Sequence, residues 1–196
     1  MGELLGGRIL KLESALARNM ILAVAVMGWA WTGSANASPN GCPSTLFDVD
    51  DLLEFKERHG DAYTAAETYY LVKRDFGSAL SMLDTLLAQD DLNDYGRSSI
   101  LRLIAAIHLE QGRVELAAQA LEQALRLGAI KPIQRQLLPF GSAVRLFREM
   151  EDTEGEARII RLWTVCGGEE SDLLDWLNNC GSDLHSICLG DISGID

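Results

Sequence analysis

Three stretches of the chain repeat one pattern, a small residue soon after a break and a longer apolar run beyond it. Ala79 lies in RDFGSALSMLDTLL, Ala117 in GRVELAAQALEQAL and Ala157 in EDTEGEARIIRLW, at separations of 38 and 40 residues. Four residues after each comes Leu83, Leu121 or Arg161, the last with Leu162 beside it. A ring precedes each break, at Tyr70, His108 and Phe147. Self-similarity at this period marks units that stack on one another, because none can bury its apolar face alone.

The middle copy shows why the unit is a helical hairpin. Ala117, Ala120, Leu121, Ala124 and Leu125 recur at the spacing of one helix face, while Glu115, Gln119, Glu122 and Arg126 take the other side. Gly112 ends the first helix, Ala117 lets the second lie close to it, and Leu121 and Leu125 fill the space where the two splay. β-branched runs with period-two alternation are absent, so the chain reads as all-α. The pattern predicts helices near 46–58, 61–73, 76–89, 98–111, 114–127, 132–150, 154–166 and 170–179. Asn93, Gly112, Gly128, Gly167-Gly168 and Gly181 fall at the breaks.

The residues Leu101, Ile104, Ala105, His108, Gly112, Val114, Ala117, Leu121 and Ala124 fall at the signature spacing of the tetratricopeptide repeat, which this unit resembles. Tyr63, Ala66, Tyr70, Asp75-Phe76, Ala79, Leu83 and Leu86 form a second copy. Val144, Phe147, Glu151-Asp152, Ala157 and Trp163 form a looser third, with one extra residue between Phe147 and Ala157. The period is longer than the family's, Glu67 stands where it prefers a small residue, and the proline near each repeat end is missing or displaced to Pro132. The resemblance spans about Gly60 to Val165. It implies a tetratricopeptide-like α-solenoid of about three hairpins with a C-terminal capping helix. It also implies a non-enzymatic adaptor whose first helices line a concave groove for a protein or peptide partner. Matching positions place Arg102, Glu110, Arg145 and Arg148 in that groove.

Charge sharpens the expectation. Arg8, Lys11 and Arg18, the apolar run Met20–Trp31 and Ala35-Asn36-Ala37 follow the pattern of a cleaved secretory signal, residues 1–37. The apolar run is too short to span a bilayer, so no membrane span is expected after cleavage. Cys42 lacks the aliphatic residue three positions earlier that a lipoprotein signal carries. Taking Arg8, Lys11, Arg18, Glu3 and Glu13 from the 17 basic and 29 acidic residues leaves 14 and 27, a formal net charge of −13. Such a chain is a poor ligand for nucleic acid or anionic lipid. Between Arg97 and Arg148, however, eight basic residues face three acids, Glu110, Glu115 and Glu122. A basic groove suits an acidic partner, held through Arg forks. The alternative is that these arginines solubilise their helices or pair with Glu149, Glu151 and Asp152.

Catalytic and cofactor motifs are absent: no phosphate loop, zincin, nucleophile elbow or calcium loop. His59, His108 and His185 are isolated, and the run Asp48, Asp50, Asp51, Glu54 and Glu57 reads as a helix N-terminus rather than a metal site. The expected organisation is therefore a signal over 1–37, a lead and helix over 38–59, repeats over 60–166 and a cap over 167–196. In the cap, Leu173, Leu174, Trp176 and Leu177 form an apolar stripe. Four cysteines in an exported chain favour disulfides. Cys166 and Cys180 fall at opposite ends of a helix pair, so Cys166–Cys188 is the favoured bridge. Two rivals remain: a helical enzyme assembled from His108, Arg145 and Glu67, and a homodimer formed through exposed Trp163 or Trp176.

Overall fold

A computed structural model describes residues 48–130 and 133–179. The expected signal and Cys42, Cys180 and Cys188 lie outside the described residues. Seven α-helices and no strand make up the described residues, all-α as the periodicity predicts but one helix fewer than the eight expected. They are α1 (Val49–Leu71), α2 (Phe76–Leu87), α3 (Asp94–Glu110), α4 (Val114–Arg126), α5 (Ile133–Glu149), α6 (Thr153–Val165) and α7 (Glu170–Asn179).

Two expected boundaries are corrected. A break at Gly60 does not occur, and α1 is continuous across it. Phe55, Ala66 and Tyr70 carry one buried face along the whole helix, with Leu52, Ala62 and Tyr63 packed beside them. That shared face outweighs glycine's modest cost inside a helix. The second correction is α3, which begins four residues before the expected 98. Asn93 caps it by accepting the Gly96 N–H at 2.9 Å, and its Nδ2 donates to the Asp51 carbonyl of α1 at 2.8 Å. At Gly96 the Phe55 ring and Leu92 occupy the space a β-carbon would need. A glycine is thus required inside α3, where it lets α1 approach.

The hairpin turns repeat one backbone solution. Arg74, Gly112 and Glu151 have φ of 53°, 69° and 58°, the left-handed conformation that ends a helix. One residue later, the N–H groups of Asp75, Arg113 and Asp152 each donate at 2.9 Å, to the carbonyls of Tyr69, His108 and Phe147. Asp75 and Asp152 then cap the next helix by accepting from Ser78 N–H at 3.0 Å and Gly155 N–H at 2.8 Å. Arg113 makes no side-chain cap, leaving α4 to its strongly one-sided burial of Ala117, Ala118, Ala120, Leu121, Ala124 and Leu125.

The register of the third unit also changes. The buried residues of α6 are Gly155, Ile159 and Trp163, while Ala157 is only half-buried. Gly155 lies against the Phe147 ring and plays the part of Ala79 and Ala117. Ala79, Ala117 and Gly155 are spaced evenly by 38 residues, and Arg161 no longer sits at an apolar position. The third unit is one residue longer before the turn, since Glu151 follows Gly112 by 39 residues, and one shorter after it, since Gly155 lies four residues past Glu151 where Ala117 lies five past Gly112.

Packing joins α1 to α2, α3 to α4 and α5 to α6 as hairpins. Between hairpins α3 rests on α1 and α2, α5 rests on α4, and α7 closes α5 and α6. Leu83, Ile100, Ile107, Leu125, Ile159, Trp163 and Leu173 are fully buried along this line. Pro139, inside α5, has no N–H to give the preceding turn. On α7, Leu173 is buried and the Trp176 ring covers Gly141 of α5. Cys166 is the C-cap of α6, its N–H donating to the Leu162 carbonyl at 3.1 Å. No helix among the described residues is long and apolar enough to cross a membrane.

Candidate functional site

The basic middle of the chain is mostly committed to holding the fold together. Arg97 donates to the carbonyls of Leu87, Gln89 and Leu92, each at 3.2 Å, and so ties off the end of α2. Arg126 and Arg158 both reach Glu122, joining α4 to α6. The Glu122 carboxyl is held below its ordinary range: burial opposes this, but hydrogen bonds from both arginines outweigh it. None of these groups is free for a partner.

The four expected groove residues divide. Glu110 accepts from the Tyr70 hydroxyl at 2.6 Å and pairs with Arg74, bracing the first hairpin's turn against α3. Arg148 pairs with Glu156 of α6 at 2.7 Å. The expected alternative partners of Arg148 were Glu149, Glu151 and Asp152; the carboxylate used stands on the facing helix instead. Arg145 is half-buried on α5 and is not a free cation. Only Arg102 fits the description of a waiting charge. It is half-buried on α3, donates from Nη2 to Ser99 Oγ at 3.3 Å, and leaves its buried Nε without an acceptor.

Two residues beside Arg102 complete the neighbourhood. Tyr63 and Glu67 lie one turn apart on α1, the helix on which α3 packs. The phenol faces the Glu67 carboxylate and is pushed up by its own burial and then by that charge, while the Arg102 guanidinium pulls it the other way. Glu67 itself is raised from its ordinary value, by burial, with the Tyr63 hydroxyl opposing. From the sequence, Glu67 is expected as a departure from the repeat and as part of a rival site with His108 and Arg145, and Tyr63 as a repeat match. Their i, i+4 spacing was the available signal. What could not be read was that α3 brings a cation beside them.

The histidines sit apart from this face. His108 is half-buried where the repeat places a ring, and burial lowers its pKa, with a Gln111 hydrogen bond opposing. It is a neutral packing residue at neutral pH. His59 stacks near Phe55, with Nε2 at 3.5 Å from Asp91. Asp48 caps α1 by accepting the Asp50 N–H at 2.9 Å, the helix-terminal role expected for the acidic run. Among the described residues no three His, Cys, Asp or Glu side chains converge as metal ligands. Trp163 is 2% exposed, with its Nε1 donating to the Glu169 carbonyl at 2.7 Å, so it offers no dimer surface. No protein-family model, curated protein or solved structure matches the chain.

Proposed function

We propose that the protein is an exported, tetratricopeptide-like adaptor of the bacterial periplasm or cell envelope, without chemistry of its own, that holds a peptide segment of a partner protein along its first helices. The evenly spaced Ala79, Ala117 and Gly155 and the repeated turns at Arg74, Gly112 and Glu151 support the solenoid reading. The basic, apolar and small-residue pattern read in residues 1–37, which resembles a signal cleaved near Ala37, supports the export reading. In an oxidising compartment, a Cys166–Cys188 bridge would pin the C-terminal cap to α6.

One observation carries the binding reading: Arg102 keeps a half-buried charge with no ion-pair partner among the described residues. A half-buried guanidinium without a counter-charge is a ready partner for an anionic or carbonyl group brought from outside the chain. Immobilised wild-type protein and an Arg102→Ala variant, offered the same envelope extract, test this. Wild type is expected to retain a partner that Arg102→Ala retains at least about tenfold less, the scale of one lost charge-assisted hydrogen bond. Arg148→Ala, whose native partner is Glu156, is expected to capture as wild type does. Equal capture by wild type and Arg102→Ala would overturn the assignment.

A further inference from the structure

Helix α1 carries apolar groups that the fold does not use. Val49, Leu53 and Leu71, with Val72 at the C-cap, are the most exposed large apolar side chains among the described residues, each more than half exposed. Val49, Leu53, Gly60, Thr64 and Leu71 recur at steps of 4, 7, 4 and 7, so Val49, Gly60 and Leu71 stand three turns apart. At 3.6 residues per turn the five fall within about 60° of arc. That stripe is clear of the face through which Phe55 and Tyr70 meet α3 and α2. No hairpin precedes α1 among the described residues.

Gly60 is a second, independent sign. A β-carbon there would meet only Lys56 Cβ, at 3.9 Å, so no packing among the described residues requires the bare backbone. A glycine inside a helix weakens it unless something must approach closely. Gly60 lies midway between Val49 and Leu71, where a helix crossing the stripe would come nearest. The charges set the direction of that second helix. Asp48, Asp50, Asp51 and Glu54 crowd the start of α1, and Lys73 and Arg74 follow its end. A parallel copy would set acid on acid, whereas an antiparallel copy sets the basic end on the acidic start, twice over by symmetry.

We infer that the outer stripe of α1 pairs with the same stripe of a second copy of this chain, antiparallel, about a twofold axis at Gly60. Val49 of one copy then meets Leu71 of the other, and Leu53 fills the space between Thr64 and Leu71. Lys56 and Glu67 flank the stripe on one side and fall within about a turn of each other across the pair. One helix face is small beside the roughly 800 Å² per partner of a standard interface, so the dimer is weak, with a Kd on the order of 10–100 μM. The inference does not rest on the adaptor reading, whose carrier Arg102 stands on α3.

Sedimentation equilibrium of the chain between about 1 μM and 1 mM should show the mass rising from one chain towards two. Gly60→Gln should weaken association at least about tenfold while its urea midpoint holds or rises, because glutamine is the better helix former. Leu53→Gln combined with Leu71→Gln should weaken it as much, and Leu116→Gln, at an exposed site on α4, should leave it unchanged. Carbodiimide joins an amine to a neighbouring carboxylate. Applied to mixed light and heavy-isotope copies, it should link Lys73 to Asp50 or Glu54, and Lys56 to Glu67, of the opposite isotope. A single-chain mass at every concentration, association indifferent to Gly60→Gln and to the leucine pair, or links between copies that avoid α1 would overturn the inference. Each of these outcomes leaves capture at Arg102 to be decided by its own experiment.

Discussion

At the scale of single residues, the structure separates groups that stabilise the fold from one that does not. Gly155 belongs to the first class. A β-carbon there would lie far inside contact distance of the Phe147 ring, and that ring is buried with nowhere to go. Gly155→Ala should therefore cost about 1–3 kcal/mol, the usual penalty for overpacking, read as a lowered urea midpoint. Glu67 belongs to the second class. Its folded-state pKa is raised above the ordinary 4.5, so its charge costs stability at neutral pH, and that cost fades as pH falls through the raised value. Glu67→Gln should raise the melting temperature at pH 7 and give a smaller gain in acid, measured by thermal unfolding across the two conditions. A gain of equal size at every pH would show that Glu67 carries no such penalty. Glu122 runs the other way. Its lowered pKa supplies stability above its ordinary value of 4.5, lost as pH drops through the folded-state value.

At the scale of elements, the turns show what is costly about the repeat. Gly112 takes its left-handed conformation freely, whereas Arg74 and Glu151 take the same conformation with side chains attached. Arg74 is compensated by its pairing with Glu110; exposed Glu151 has no such ion pair among the described residues. Glu151→Gly should accordingly stabilise by about 0.5–1 kcal/mol and Gly112→Ala destabilise by about 1–2 kcal/mol, both from chemical denaturation. The turns were also the most legible part of the sequence at Gly112 and the least at Glu151. Glycine announces a stop, but Glu151 does not, so the third unit was aligned on Ala157 when Gly155 is the residue that packs. The reverse error occurred between 58 and 61, where two helices were expected and Phe55, Ala66 and Tyr70 instead bury one continuous face. Of the site, the position of Arg102 was legible from the repeat alone. Whether an arginine is free was not, because Arg148 and Glu110 find their partners on other helices, across distances that only the packing of the hairpins sets.

At the scale of the whole molecule, the order of packing bears on how the protein comes apart. α1 and α3 share a first-helix contact, but α5 joins the stack through α4, and α7 closes the far side. In a linear array each unit depends on its neighbours, so damage at one end should spread by degrees. Leu173 is the residue to test, because it is fully buried on α7 at the end of the line, near the Trp176 ring that covers Gly141. Leu173→Ala should cost about 2–5 kcal/mol by removing a buried leucine. Its effect on native-state hydrogen exchange should be uneven: amides of α5 and α6 speed up strongly, while those of α1 and α3 change little. The Arg102 face lies on the protected half, so peptide capture at that face should persist in Leu173→Ala under conditions where the capped end already opens. Uniform acceleration across all helices would instead mean one cooperative block, and the binding face would then share the fate of the cap.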